Sequence, residues 1–230
     1  CLPGISRDRH PVARGAAPAE TLSMDLDVRP LASREASRAA ALLTRAFAAD
    51  PVITHYLWEP RRRRWAYPAF FRMALEEPLA NGTAFAAEVG GELRAVAAWL
   101  PPEAGRPGSL ERARARAYGA WVRILFPRTT APLMSGFAAL EEFHPNQPHW
   151  YLAFVGVEPE HQAAGIGTRL LEPVHERADA TATGCYLETP FPATHAFYRG
   201  LGYELQRELR PFDGAPPVAT FMREARPASL

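Results

Sequence analysis

A glycine-spaced loop carries the first chemical signal in this 230-residue sequence. Residues 155–171 read VGVEPEHQAAGIGTRLL. An apolar run ends at Val157, Glu158-Pro159 interrupts it, and Gln162 to Gly167 opens into a helical pattern with Leu170, Leu171 and Val174 on one face. Strand, glycine loop and helix in that order aim successive backbone N–H groups and the positive end of a helix dipole at an anion. Gly165 and Gly167 let such a ligand approach the main chain. A dinucleotide fingerprint needs a third glycine where Leu170 stands, and it belongs near the start of a βαβ unit. A P-loop needs Gly-Lys-Ser/Thr, and the chain contains no lysine. The alternative without a ligand is a glycine-rich turn before an ordinary helix.

The elements that must position this loop follow from periodicity and breakers. Residues 26–31 read as a first strand; Ser33 then offers an N-cap to a helix with Ala36, Ala39, Ala40, Leu43 and Phe47 on its buried face, ending at Asp50-Pro51. Residues 52–79 hold His55, Tyr56, Trp58, Trp65, Tyr67, Phe70 and Phe71 on an irregular to helical framework, a ring density that suits a pocket wall or core packing. Strands at 83–88 and 93–100 flank Gly90-Gly91, a two-residue hairpin signal. Two helical patterns at 109–143, separated by Pro127 and Pro132, form an insertion with Arg112, Arg114, Arg116 and Arg123 exposed. Residues 150–157 are the strand that enters the glycine loop, and 169–178 its helix. A short strand at 185–189, a short helix at 193–201 and strands at 203–209 and 218–224 complete a mixed α/β sheet. The helix from Gly167 crosses between neighbouring parallel strands.

Bulk composition excludes several function classes. With 47% hydrophobic and 22% charged residues the chain suits one domain over 24–226, preceded by a flexible tail at 1–23, with Met24 as the native start. The 26 basic residues, all arginine, nearly balance 25 acidic ones, so no field gathers nucleic acid or an anionic membrane, and Arg61 to Arg64 read as a solvated helix start. Arginine in place of lysine, with many Ala and Pro, indicates a GC-rich bacterial genome. Cys1 and Cys185 make no disulfide framework, no Cys/His cluster suggests a metal, and no run approaches a membrane span. A cytoplasmic protein, monomeric or a homodimer, is the expectation.

Three stretches then coincide in order. PHWYLAFVGVEPEHQAAGIGTRLL resembles the fourth strand and acyl-CoA pyrophosphate loop of the GNAT acetyltransferase superfamily, YLET its fifth strand, and FYRGLGY its following helix with the Tyr-x-x-x-Gly-aromatic signature. AFAADPV and AVAAWLPPE are similar to segments of the bacterial branch that includes puromycin N-acetyltransferase. The resemblance spans roughly residues 25–225. It implies a GNAT-like mixed, mostly antiparallel sheet with flanking helices and a helical insertion, at about 103–146, between the third and fourth strands.

The resemblance also implies acetyl-CoA as donor, a primary amine of a small molecule as acceptor, no metal, and direct transfer. The absence of a Gly-x-Ser-x-Gly elbow agrees with the last point. The pantetheine arm would pair with Phe154, Val155 and Val157, and main-chain N–H groups of Ala163, Ala164, Gly165, Ile166, Gly167 and Thr168 would take the pyrophosphate, with Gln162 opening the loop. Tyr198 falls on the general-acid position; a phenol with ordinary pKa near 10 stays protonated at neutral pH and suits a donor. Glu188, beside the expected strand opening, and His195, three residues before Tyr198, are the candidates for the base. Thr194 stands where the branch often has Asn, which leaves room for a non-catalytic acyl-CoA-binding module; a peptide or protein amine is the other alternative acceptor. Asp50 to Trp58, the Trp99 to Pro102 corner, the insertion and Tyr151 are expected to wall the acceptor.

Overall fold

Gly90 and Gly91, at φ 59° and 77°, supply the left-handed backbone that a two-residue hairpin needs, so β2 (Ala84–Val89) folds straight back onto β3 (Glu92–Leu100). The computed structural model describes residues 25–102 and 109–226, the latter with side chains from 116 onward. The expected tail at 1–23, Met24, the onset of the insertion at 103 and the side chains of Arg112 and Arg114 lie outside the described residues. Arg116 and Arg123 are exposed, as expected.

β1 (Leu26–Pro30), β4 (His149–Val157), β5 (Gly184–Thr189), β6 (Glu204–Leu209) and β7 (Val218–Arg223) complete a seven-stranded sheet in the order β1-β2-β3-β4-β5-β7-β6. Every neighbour is antiparallel except β4 and β5. Their parallel pairing requires a crossover, which α7 (Ile166–Ala180) supplies. This is the mixed sheet anticipated from the order of elements, and the mostly antiparallel one that the resemblance implied.

Two cores follow from the alternation of side chains across the sheet. On one face α7 buries Leu170, Leu171, Val174 and Ala178 completely, together with Trp99, Leu187 and Phe221. On the other, α1 (Ala36–Ala46) buries Ala39, Ala40, Leu42 and Leu43, joined by Tyr67 and Phe71 of α3 (Pro60–Ala74). Gly156 permits the close approach of α1 to β4, because a Cβ there would meet Leu43 Cδ2 at 2.8 Å and Ala46 Cβ at 2.9 Å. A bidentate pair, Arg223 Nη1 to Asp179 Oδ1 at 2.8 Å and Nη2 to Oδ2 at 2.7 Å, ties β7 to the end of α7.

The helical boundaries depart from expectation at prolines. The first helix ends at Ala46, and Pro51 begins a separate α2 (Pro51–Tyr56) instead of marking the first helix's stop. Asp50 caps it, Oδ1 accepting from Ile53 N at 2.9 Å, and proline suits a first turn whose N–H has no intrahelical partner. α4 (Glu76–Ala80) follows α3. The insertion is α5 (Ser109–Leu125) and α6 (Thr130–Glu141). Pro132 does not separate these helices; it lies in the first turn of α6, for the same reason.

Candidate active site

The site begins where two strands part. β4 and β5 pair only from His149↔Gly184 to Leu152↔Leu187. Beyond that point β4 stays with β3 as far as Val157↔Ala95, while β5 continues beside β7 to Thr189↔Ala219. Among the described residues no strand pairs with the β5-facing edge of β4 after Leu152. The break coincides with a bulge: Ala98 opposes Phe154 and Trp99 opposes Leu152, which leaves Ala153 as the extra residue. One added residue exchanges the faces of everything after it. Phe154 therefore turns to the α1 and α3 side, against Phe47, Phe70 and Phe71, and Val155 and Val157 turn to α7.

The loop after β4 is built to leave amides exposed. Pro159–His161 form a 3₁₀ turn, then Ala163 and Gly165 adopt φ 62° and 78°. Gln162 Nε2 donates to Val157 O at 3.2 Å, which folds the loop back on the strand end. Arg45 of α1 fastens the same end, Nε donating to Glu158 Oε2 at 3.1 Å. Gly165 is the N-cap of α7 and has no side chain to cap with, so the N–H groups of Gly165 to Thr168 have no partner within the helix. A Cβ at Gly165 would meet nothing within 4 Å, so the space before these amides is open. Four clustered donors and a helix N-terminus suit a pyrophosphate.

Two cavities meet at the strand opening. The first, about 620 Å³, is lined by Phe154, Val155, Val157, Gln162, Ala163, Gly165, Ile166, Gly167 and Thr168, and also by Glu188 and Tyr198. Ala164 is not among its lining residues. The second, about 430 Å³, lies on the other side of the opening among Asp50, Tyr67, Phe71, Phe137, Tyr151 and Phe212. Phe47, Ala153, Phe154, Glu188 and Pro190 line both.

Tyr198, at the centre of α8 (His195–Gly200), is buried, and that burial raises its phenol well above the ordinary value, so it keeps its proton at any physiological pH. Thr194 also lines the first cavity; its hydroxyl donates to Phe191 O at 2.8 Å and lies 3.1 Å from Thr189 Oγ1. The threonine is thus anchored to the end of β5.

His195 does not share the cleft. It lines neither cavity: although it is three residues from Tyr198 and both rings lie against Phe221, at 5.1 Å and 6.0 Å, His195 sits at the start of the helix and does not reach the opening that Tyr198 lines. The histidine near Glu188 is His144, in the segment after α6: Nε2 is 3.4 Å from Glu188 Oε1, and the Tyr186 hydroxyl donates to the same oxygen at 3.0 Å. Burial by itself would lower the His144 pKa, but the hydrogen bond and charge of Glu188, with the charge of Glu141, outweigh it and hold the imidazole above its ordinary value. Nothing in the sequence flags His144, which lies 44 residues from its partner. The one available signal is the alternation that puts Tyr186 and Glu188 on one face of a strand.

Comparison with known proteins agrees with this geometry. Residues 128–205 match the profile of the acetyltransferase (GNAT) domain. Among solved structures, the histone acetyltransferase HPA2 and related acetyltransferase from Corynebacterium glutamicum is 24% identical, with TM-score 0.65 over 90% of this chain and 100% of that one. The polyamine N-acetyltransferase of Drosophila melanogaster, which forms N-acetylagmatine, is 22% identical, with TM-score 0.55 over 87% and 100%. The PaiA N-acetyltransferase of Thermoplasma acidophilum, in complex with coenzyme A, is 9% identical, with TM-score 0.54 over 87% and 99%. At these identities the likeness shows the fold. Among the described residues no helix is long and apolar enough to cross a membrane, and no group of three His, Cys, Asp or Glu side chains could hold a metal.

Proposed function

We propose that this chain, which has the GNAT fold and carries a GNAT acetyltransferase domain over residues 128–205, transfers an acetyl group from acetyl-CoA to a primary amine of a small molecule. The observation that carries this is the position of Glu188, on the wall shared by the cavity of the glycine loop and the cavity of aromatic rings. The first cavity supplies what the donor needs: open amides for the pyrophosphate and an unpaired strand edge for the pantetheine amides. The second, about 430 Å³ and mostly apolar, is of a size that suits a small acceptor. Acetylation of a polyamine by a relative of the same fold supports an amine as nucleophile. Within the fold, AFAADPV and AVAAWLPPE support the branch similar to puromycin N-acetyltransferase.

In this reading Glu188 takes a proton from the bound ammonium, directly or through water, because only the neutral amine has a lone pair for attack. The C–N bond to the acetyl carbon forms and the C–S bond breaks. Tyr198 donates to the departing thiolate, and the second proton shed by the nitrogen balances the one gained by sulfur. One proton is released overall. His144, hydrogen-bonded to Glu188 and lining a further cavity with Tyr186 and Gln147, provides its exit.

The test is the unfolding midpoint with and without acetyl-CoA, followed by CoA release with a panel of primary amines. A ligand at 100 times its Kd adds about 2.7 kcal/mol to the native state, so the midpoint should rise by several degrees. No shift and no CoA release would overturn the proposal. A shift without release from any amine would favour the non-catalytic acyl-CoA-binding module that Thr194 in place of Asn suggests.

A further inference from the structure

The acceptor cavity is acidic at a point away from the chemistry. Glu188 belongs to the wall shared with the donor cavity, but Asp50, Glu77 and Tyr67 line the acceptor cavity and not the donor cavity, and none of its lining residues is basic. Asp50 is 7% exposed. Among the described residues its carboxylate is served by backbone N–H groups, from Ile53 at 2.9 Å and from Val52, and forms no ion pair. A desolvated carboxylate without a counter-cation leaves its burial cost uncompensated. The Tyr67 hydroxyl in the same wall is also buried, and has no hydrogen-bond partner among the described residues. A helix cap explains why an aspartate stands at position 50. It does not explain an orphan phenol and an unpaired charge facing one cavity.

The same cavity that Asp50 and Glu188 line is walled by the rings of Phe47, Phe70, Phe71 and Phe154. Phe71 lies 5.4 Å from Phe47 and 5.3 Å from Phe154, and both partners belong to the shared wall. Such a surface offers nothing to a polar chain but packs against methylenes, and it attracts a cation electrostatically.

We propose that the acceptor carries two cationic centres separated by an apolar spacer, the reacting amine at Glu188 and the second ammonium or guanidinium at Asp50 and Tyr67. This rests on the acetyl-transfer reading above. Bound so, the second cation donates to the Asp50 carboxylate and to the Tyr67 oxygen, which satisfies both at once. A monoamine of equal length leaves Asp50 buried and unpaired.

The experiment compares α,ω-diaminoalkanes with n-alkylamines of the same carbon number, as kcat/KM by CoA release and as binding by calorimetry in the presence of CoA. Asp50→Asn removes the charge and keeps the cap, since Asn and Asp cap helices about equally well; Tyr67→Phe removes only the hydroxyl. The wild type should prefer the diamine by at least about 10-fold in kcat/KM, Asp50→Asn should bring the ratio near one, and Tyr67→Phe should lower it partway. A wild-type ratio near one, or a ratio unchanged in Asp50→Asn, overturns the second cation site while acetyl transfer stands. Diamine binding that Asp50→Asn abolishes, without turnover of any amine, supports the site and removes the transfer reading. Neither binding nor turnover of any diamine overturns both.

Discussion

Glu188 Oε1 lies 3.4 Å from His144 Nε2, so the strand that ends at the donor cavity is joined to the segment that closes the helical insertion. The pair is largely buried, at 10% and 18% side-chain exposure, and Tyr186 donates to the same carboxylate oxygen. The insertion thereby reaches Glu188 at the opening as well as lining the second cavity with Phe137 and Leu140.

Replacement of Glu188 by Gln should reduce kcat/KM for an amine acceptor by about 10²-fold, with acetyl-CoA affinity retained. His144→Gln tests the relay. Glu188 holds the His144 imidazole above 6.5, so the wild-type rate should rise with pH along a limb centred above 6.5. In the variant that limb should be lost. A limb that does not move would remove His144 from the proton path.

Tyr198→Phe should lower kcat by about 10²-fold and leave the calorimetric affinity for acetyl-CoA within about 2-fold, because in the proposed reaction the hydroxyl acts on the departing sulfur and not on the pyrophosphate. The ring remains to pack against Tyr203 and Phe221, so the fold is kept. Unchanged kcat would eliminate the acid role.

Gly165→Asp places a carboxylate in the open space before the amides of α7, where φ 78° already disfavours a side chain. Acetyl-CoA affinity in calorimetry should fall by at least about 10-fold through like-charge repulsion. Equal affinity would mean that the loop does not hold the pyrophosphate.

Gly156→Val forces atoms into the 2.8 Å and 2.9 Å gaps beside Leu43 and Ala46, on a strand whose partner helix has no room to move without disturbing Arg45 and Glu158. Denaturant titration should show a loss of about 1–3 kcal/mol. A neutral effect would show that α1 packs less tightly on β4 than its contacts indicate.

Stability should also fall in mild acid because of His175. Burial first, then the charge of Arg223, pushes its imidazole down to about 4, against about 6.5 in an unfolded chain. Between these values the unfolded chain binds the proton and the folded one does not, so stability rises with pH and is lost as pH falls from 6.5 to 4, by on the order of 3 kcal/mol. His175→Gln should flatten the midpoint's pH dependence in that window and keep a partner for the Tyr203 hydroxyl, which lies 2.9 Å from His175 Nε2. Glu35, held near 2 by Arg29, acts between its ordinary 4.5 and 2, overlapping only the acid end of the window, so the slope between 6.5 and 4.5 is free of it.

What the sequence determined by itself was local and periodic. Gly90-Gly91 dictates a hairpin, Val157 to Leu171 dictates strand, loop and helix, and the glycines and uncapped amides of that loop belong to residues adjacent in the chain. Tyr198 was legible for the same reason, within the short run FYRGLGY. Tertiary structure decided whatever depends on which face a residue meets. The bulge at Ala153 sends Phe154 to the acceptor side, although alternation from Trp150 and Leu152 would put it with α7. Packing against Phe221 at the start of α8 leaves His195 outside the cleft, and the return of the insertion brings His144 beside Glu188. Asp50 was readable as a helix boundary, but its burial in one cavity wall with Tyr67 depends on α3 packing across α1. Backbone rules act over a few residues and leave their mark on spacing, whereas contacts between distant segments are set by packing, which no single window of sequence contains.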